Sequence, residues 1–495
     1  MALFRSERGI GRGEIPESRL EVPFFALIMV ICSLIIFVLH LRLENQSLTL
    51  ALAISLFVFG ATVVRVEFGV YVLVLSMLLS PEIVTDTSGE NSLKIRYDDL
   101  LIIVIFLGVM VKLAFEGRLH LWRPSPINAG IVAYYGICIL STLLALERNL
   151  GAWSRRDAFF VMLKMLEFYL VFFLVSHAVR DRTQIRNQLV LFFLVSLVVS
   201  VYGVLTIPIT DRVSAPFDEG GTEPNTLGGY LTLVTCVALG LFTQTPKIYL
   251  KLLFGAVIAV AFIPFLYTLS RASYVALLLG ILVLCICSRR YFMLAAITVI
   301  LAASSLVMPE KVQERVLYTF QQGGGEEVVV AGRDTGIQVD KSTNERIRIW
   351  RKVRFILGLG PQYFLLGAGV SWESVVDSQY ARIILETGLL GILAFGFMQY
   401  RILKTVREGY RWTDDWLCRG LGMGVFASAV ALIVHGLGTI SFLIVRIMEP
   451  YWFLLALTVV ARENALEKHW ARFQREHNGH PQKSASPLSS LTETA

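Results

Sequence analysis

The chain has 495 residues, of which 55% are hydrophobic and only 17% are charged, and its mean hydropathy is +0.64. Soluble domains carry nearer a quarter charged residues, so this composition excludes a soluble enzyme, a nucleic-acid-binding protein and a disulfide-stabilised scaffold. The formal net charge of +7 is typical of the positive bias of cytoplasmic loops in membrane proteins. The cysteines show neither metal-ligand nor disulfide spacing.

Apolar segments long enough to cross a bilayer, which takes about 20 residues in a helix, recur along most of the chain. Only helices satisfy their own backbone groups in lipid, so we predict an all-α, polytopic integral membrane protein of about 12–14 transmembrane helices. The predicted spans are 24–41, 48–64, 66–80, 99–115, 127–146, 158–178, 187–207, 227–243, 250–269, 272–288, 291–308, 381–400, 421–441 and 443–461.

Lysine and arginine are concentrated in alternate short loops, which predicts that both termini are cytoplasmic. The segment 309–380 then forms one large extracytoplasmic loop that contains helices. Around it we predict a cytoplasmic segment at 1–23, membrane helix bundles at 24–308 and 381–461, and a partly disordered cytoplasmic tail at 462–495.

The large loop has three predicted parts. Residues 309–322 are predicted to form an interfacial helix. The stretch 323–340 is glycine-rich and polar and is predicted to be mobile. Ser342 and Glu345 form a capping-box pattern, which predicts a cationic helix that ends near Leu357.

Few charged residues fall inside the predicted spans. Lys164 and Glu167 are three residues apart and are able to pair on one helix face, as a structural ion pair or as a functional site. Glu386 lies near the outer end of the twelfth span, and His435 lies in the outer half of the thirteenth. A lone histidine there either hydrogen-bonds between helices or takes part in function. Few charges at mid-membrane argue against a proton or ion pathway.

Three separate segments bring arginines to the predicted outer face. Arg212 precedes the eighth span, Arg271 lies between two apolar runs, and Arg346 begins the capped helix with Arg348 close behind. A guanidinium at a membrane edge either extends to the headgroups or is compensated by an anion. Because arginine matches phosphate oxygens with two parallel hydrogen bonds, the three segments together predict a phosphate-binding surface.

Asp377 lies where the large loop re-enters the membrane, directly before Ser378-Gln379-Tyr380. Its carboxylate has three open roles: a general base for a hydroxyl, a hydrogen-bonding partner for a sugar, or the cap of the next helix.

In this order the motifs resemble those of the O-antigen ligase and O-antigen polymerase family of bacterial inner-membrane glycosyltransferases. The resemblance covers about residues 212–400, and the first 200 residues match only as a series of membrane helices. The matching motifs are Arg212–Gly228 (Arg-x-Ser-Ala-Pro-Phe…Pro-Asn-x-Leu-Gly), Ser270–Ala272, Arg346–Trp350, Leu366–Gly369 and Asp377–Gly391.

The resemblance implies a donor glycan linked to undecaprenyl diphosphate, an acceptor glycan hydroxyl, and no metal or other cofactor. It implies that arginines bind the diphosphate. Family ligases carry His-Asn where this chain has Asp377-Ser378, so either Asp377 is the base or the site relies on positioning and charge with His435 or another group nearby. The expected catalytic residues are Arg346 and Asp377, and the expected substrate-binding residues are Arg212, Arg271, Arg348, Asn225, Gln379, Tyr380 and His435.

The expected function is polymerisation of lipid-linked repeat units of an O-antigen, capsule or exopolysaccharide in the bacterial inner membrane. One alternative is an O-antigen ligase that uses the same chemistry, and another is a membrane transporter of a small anion. Expected partners are the donor, the acceptor and the lipid bilayer, with a chain-length regulator as a further candidate and no nucleic acid.

Overall fold

A computed structural model of the chain describes residues 46–83, 95–117, 123–148, 154–216, 224–290, 326–330, 333–339, 341–372 and 378–478. In these ranges the fold is helical, as predicted, with two short antiparallel strand pairs. The first half contains α1 Gln46–Val64, α2 Val66–Leu79, β1 Glu82–Ile83, β2 Ile95–Arg96, α3 Tyr97–Phe115, α4 Asn128–Arg148, α5 Arg155–Ala178, α6 Arg182–Thr206, α7 Pro224–Gln244, α8 Ile248–Tyr267 and α9 Arg271–Ser288. The second half contains β3 Glu326–Val330, β4 Arg333–Val339, α10 Lys341–Leu357, α11 Pro361–Leu366, α12 Gln379–Trp412, α13 Trp416–His435 and α14 Val445–Asn478.

In the described part, 8 helices are long and apolar enough to cross a membrane, and α1 and α2 contain shorter apolar runs. Every predicted span coincides with a helix except those at 24–41 and 291–308, which lie outside the described residues. Large apolar side chains such as Leu205, Ile248 and Leu252 are exposed on α6 and α8, as expected of helices whose outer faces contact lipid. The architecture is that of a multi-pass membrane protein.

The centre of the bundle is formed by α7, α13 and α14. Glycines let α7 and α13 approach closely: a Cβ on Gly240 would lie 2.4 Å from the carbonyl oxygen of Gly420, and one on Gly424 would lie 2.6 Å from the Cα of Val237. Small residues of this kind replace the hydrophobic driving force that helices lack in lipid. The two helices therefore form a fixed frame for the elements at their ends.

Helix α12 is broken at Gly388, whose φ of 65° and ψ of −158° are not helical. Gly367, which ends α11, has nearly the same conformation, with φ 66° and ψ −160°. A Cβ on Gly367 would lie 2.5 Å from the carbonyl carbon of Glu386, and one on Gly388 would lie 2.5 Å from that of Leu365. Both positions require glycine, because they combine a left-handed φ with close backbone contact. Two motifs that are separate in the sequence thus form one packed unit.

The large loop differs from the prediction at two points. The stretch 323–340, predicted to be mobile, contains the antiparallel pair β3 and β4, because its three consecutive β-branched valines favour extended backbone over a glycine-rich coil. Helix α10 begins at Lys341, so Ser342 lies inside its first turn instead of preceding the helix. The helix predicted at 309–322 lies outside the described residues.

Three helix ends also differ. Helix α13 ends at His435, and residues 436–441 form turns, because Gly436 and Gly438 favour a break over a continued helix. Helices α12 and α14 extend beyond the apolar spans to Trp412 and Asn478. The predicted tail 462–495 is therefore helical over its first part.

Candidate functional site

Residues from five separate segments meet at one end of the bundle, which we call the polar end. It contains the beginnings of α7, α9 and α12 and the end of α13. The sequence-predicted residues that the structure places there are Arg212, Asn225, Arg271, Gln379, Tyr380 and His435.

Arg212 is held against the break between α8 and α9. Its Nε donates a hydrogen bond to the carbonyl oxygen of Thr268 at 3.2 Å, and its Nη2 donates to that of Leu269 at 3.4 Å. These carbonyls end α8, where the helix dipole favours a cation. Leu269 has a φ of 51°, which turns the chain sharply into α9, whose first residue is Arg271. Two of the predicted phosphate-binding arginines therefore share one short backbone segment.

A chain of hydrogen bonds connects α7 to α9 and α13. Ser270 caps α9 and donates its hydroxyl to Oδ1 of Asn225 at 2.7 Å. The Ser273 hydroxyl donates to that of Ser270 at 2.8 Å and lies 2.9 Å from Nε2 of His435. The other ring nitrogen, Nδ1, lies 2.8 Å from the hydroxyl of Ser441. We call these five residues the serine–histidine relay.

The serine–histidine relay is neutral and enclosed. Ser273, His435 and Ser441 have 0% exposed surface, and a buried polar group is tolerated only when it is hydrogen-bonded. Ser273 was not predicted from the sequence. The glycine at position 228 leaves room for it, because a Cβ there would lie 2.2 Å from the Ser273 hydroxyl. His435 is therefore fully buried and bonded on both sides of its ring, and its expected substrate-binding role stays a prediction.

The beginning of α12 is attached to the end of α13. The Gln379 backbone N–H donates to the carbonyl oxygen of Gly436 at 2.9 Å, and its side-chain Oε1 accepts from the Phe442 N–H at 3.1 Å. The Tyr380 hydroxyl donates to the carbonyl oxygen of Ile433. Gln379 is buried, so it fixes the position of α12 relative to α13.

A buried ion pair stabilises the first part of α12. Nε of Arg382 donates to Oε1 of Glu386 at 2.9 Å, and the Ser371 N–H donates to the same oxygen at 2.9 Å. The Ser141 hydroxyl, from α4, donates to the carbonyl oxygen of Glu386 at 2.6 Å. Sequence reasoning noted Glu386 but not its partner, although opposite charges four residues apart in an apolar run are the signal for such a pair.

Helix α10 packs against the beginning of α12 through Ile349 and Val353, which form a small core with Ala381 and Leu385. This contact places the arginine-bearing helix next to the polar end. Arg348 is exposed. The backbone of residue 346 belongs to the first turns of α10, whereas the Arg346 side chain and all of Asp377 lie outside the described residues.

A second buried polar group, which we call the carboxyl cluster, was only partly found from the sequence. The predicted pair of Lys164 and Glu167 is present at 3.4 Å, and Lys164 also contacts Asp99. The members of the cluster come from three helices: the beginning of α3, the middle of α5 and the second turn of α14. The carboxyl cluster comprises Arg96, Asp98, Asp99, Lys164, Glu167 and Glu449.

No protein-family model and no curated protein matches this chain. The fold defines the class, a multi-pass helical membrane protein, and the function is therefore argued from the polar end.

Proposed function

We propose that the protein is a glycosyltransferase of the periplasmic membrane face that transfers an undecaprenyl-diphosphate-linked glycan to a sugar hydroxyl and thereby polymerises repeat units. The observation that carries the proposal is the convergence of cationic groups at the α8–α9 break. Arg212 and Arg271 flank this break, and the beginnings of α7 and α9 are joined there by the 2.7 Å bond between Asn225 and Ser270. Guanidinium groups and helix N-termini both favour a phosphate ligand.

In the proposed reaction, the bond between the anomeric carbon and the diphosphate oxygen breaks, and the acceptor oxygen forms a bond to that carbon. The acceptor proton passes to a base, for which Asp377 is the proposed group. The departing diphosphate gains negative charge, which pre-positioned arginines stabilise. The apolar surroundings of the bundle lower the local dielectric constant and strengthen this interaction.

The remaining parts of the polar end support the site instead of contacting the donor. The serine–histidine relay holds α7, α9 and α13 in fixed positions, and Gln379 does the same for α12 and α13. Helix α10, whose backbone includes residues 346 and 348, packs on the beginning of α12. We propose that Arg346 and Arg348 bind the diphosphate together with Arg212.

A ligase that attaches a finished polymer to lipid A–core or another acceptor uses the same chemistry and the same residues. A transporter of a small anion is the candidate from another class, and one observation favours it. Helix α12 is broken at Gly388. Broken helices are frequent in transporters.

The experiment compares two exposed arginines of α10, Arg348 near its beginning and Arg354 near its end. We expect Arg348→Ala, Arg346→Ala and Arg212→Ala each to reduce polymer at least tenfold, and Arg354→Ala to leave it near the wild-type level. The measurement is polymer per unit of membrane protein, because Arg212 also supports the end of α8. Wild-type polymer levels in both Arg212→Ala and Arg346→Ala would contradict diphosphate binding.

A further inference from the structure

Glu449, in the second turn of α14, is the most unusual buried group in the described part of the chain. Its exposed fraction is 0%, and neither carboxylate oxygen accepts a hydrogen bond from a donor in that part. Glu167 on α5 is also buried, its Oε1 likewise has no hydrogen-bond partner in that part, and its carboxyl group lies within hydrogen-bonding reach of Glu449. Two carboxyl groups are able to share such a bond only if one of them carries a proton.

The neighbouring cations are engaged by other groups. Nη2 of Arg96 lies 2.8 Å from Oδ2 of Asp98 and donates to the carbonyl oxygen of Met77 at 3.2 Å. Lys164 contacts Asp99 and lies 3.4 Å from Oε2 of Glu167. Among the groups near Glu449, Asp98, Glu167 and Arg96 interact with it electrostatically.

Among the described residues, the charges of this region do not balance without a proton. The carboxyl cluster has four carboxyl groups, from Asp98, Asp99, Glu167 and Glu449, and two cations, Arg96 and Lys164. Arg446, one turn before Glu449 on α14, is also buried and has interactions of its own, and even with it the carboxyl groups remain in excess. An uncompensated buried charge is strongly unfavourable, so a carboxyl group takes up a proton instead.

We infer that Glu167 and Glu449 form a proton-binding site in which the two carboxyl groups hold one proton between them. A metal ion fits this site less well than a proton, because no group of three or more acidic, histidine or cysteine side chains in the described residues is arranged to hold one. The site joins α5 to α14, so uptake or loss of the proton changes the attraction between these two helices. This inference does not depend on the proposed glycosyltransferase activity.

The test uses the full-length protein in lipid nanodiscs and a hydrophobic carbodiimide, which modifies protonated carboxyl groups in apolar surroundings. Peptide mass spectrometry locates the adduct. We expect it on Glu449 or Glu167, with a yield that falls as the pH rises. The matched control is Glu463, a buried carboxyl group on the same helix that is paired with Arg123 at 2.6 Å, and we expect no adduct there.

Two labelling outcomes would overturn the inference. The first is an absence of adduct on both glutamates, or an equal yield on Glu463. The second is protection by sodium ions at constant pH, which would indicate a cation site instead of a proton site. Both readouts use the wild-type protein, so they do not depend on whether a variant folds.

A second measurement follows thermal stability against pH. The proton is held in the folded state, so raising the pH removes it and lowers the wild-type melting temperature. Glu449→Gln keeps the shape of the protonated side chain without the charge, and we expect its melting temperature to depend less on pH. An unchanged pH dependence in Glu449→Gln and in Glu167→Gln would contradict a shared proton.

Discussion

The two buried polar regions of this protein differ in how their polar groups are compensated. The serine–histidine relay consists of neutral groups, and each of its side chains has a hydrogen-bond partner within the relay. The carboxyl cluster consists of charged groups, and it leaves carboxylate oxygens of Glu167 and Glu449 without donors. The two regions are close in the chain: Ser441 of the relay lies in the turn before α14, and Glu449 of the carboxyl cluster lies in α14 itself.

The difference separates a structural role from a titratable one. A fully bonded neutral network has one favoured arrangement, so the serine–histidine relay fixes the helices that carry Arg212 and Arg271. A network with too few donors changes its protonation state when its surroundings change, so the carboxyl cluster is the part of the bundle that responds to pH. The proposed diphosphate site needs the first property, and the proposed proton site needs the second.

The largest expected change is a difference in stability between variants of two carboxyl groups of the carboxyl cluster. Asp98 is paired with Arg96 at 2.8 Å and has 0% exposure, so Asp98→Asn removes the carboxylate that the buried Arg96 guanidinium contacts directly. We expect a loss of about 3–5 kcal/mol, typical of a broken buried ion pair. Glu449→Gln, which removes no ion pair, is the matched control and should change stability by less than about 1 kcal/mol. Thermal unfolding in nanodiscs measures both, and equal losses would refute the distinction between the two carboxyl groups.

The next largest effect is expected from a substitution that disrupts the serine–histidine relay. His435→Phe keeps a ring in the space but leaves the Ser273 and Ser441 hydroxyls without their partner, at about 1–3 kcal/mol for each unsatisfied group. We expect lower stability together with reduced polymer, because α9 and α13 lose their connection. His469→Phe, on an exposed part of α14, is the control and should be close to wild type. A His435→Phe protein with normal stability and normal polymer would show that the serine–histidine relay does not hold the site.

The helices could be predicted from the sequence more completely than the contacts between them. Long apolar runs determine where a helix forms in lipid, which is why the described helices coincide with predicted spans. The partners of Ser273 and Glu449 depend on how each helix is rotated about its axis, and a single sequence does not encode that in a local pattern. Glu449 follows Arg446 by three residues in the last span, a spacing that favours an ion pair, but the carboxylate of Glu449 has no hydrogen-bond donor in the described part.

The candidate site was predicted in part. Arg212, Asn225, Arg271 and His435 were selected from short motifs, and the structure connects them through the α8–α9 break. The packing of Gly367 against the backbone of the α12 break was not predicted, because it requires a contact between two separate motifs. The positive φ and the close approach of backbone atoms explain why both motifs contain glycine.

The most direct test of the proposed function is mass spectrometry of undecaprenyl-diphosphate-linked glycans from cells that lack this protein. We expect single repeat units to accumulate on the lipid, because a polymerase would no longer join them. Accumulation of long lipid-linked chains would instead identify a ligase. No change in either pool would contradict the glycosyltransferase proposal and favour a transporter.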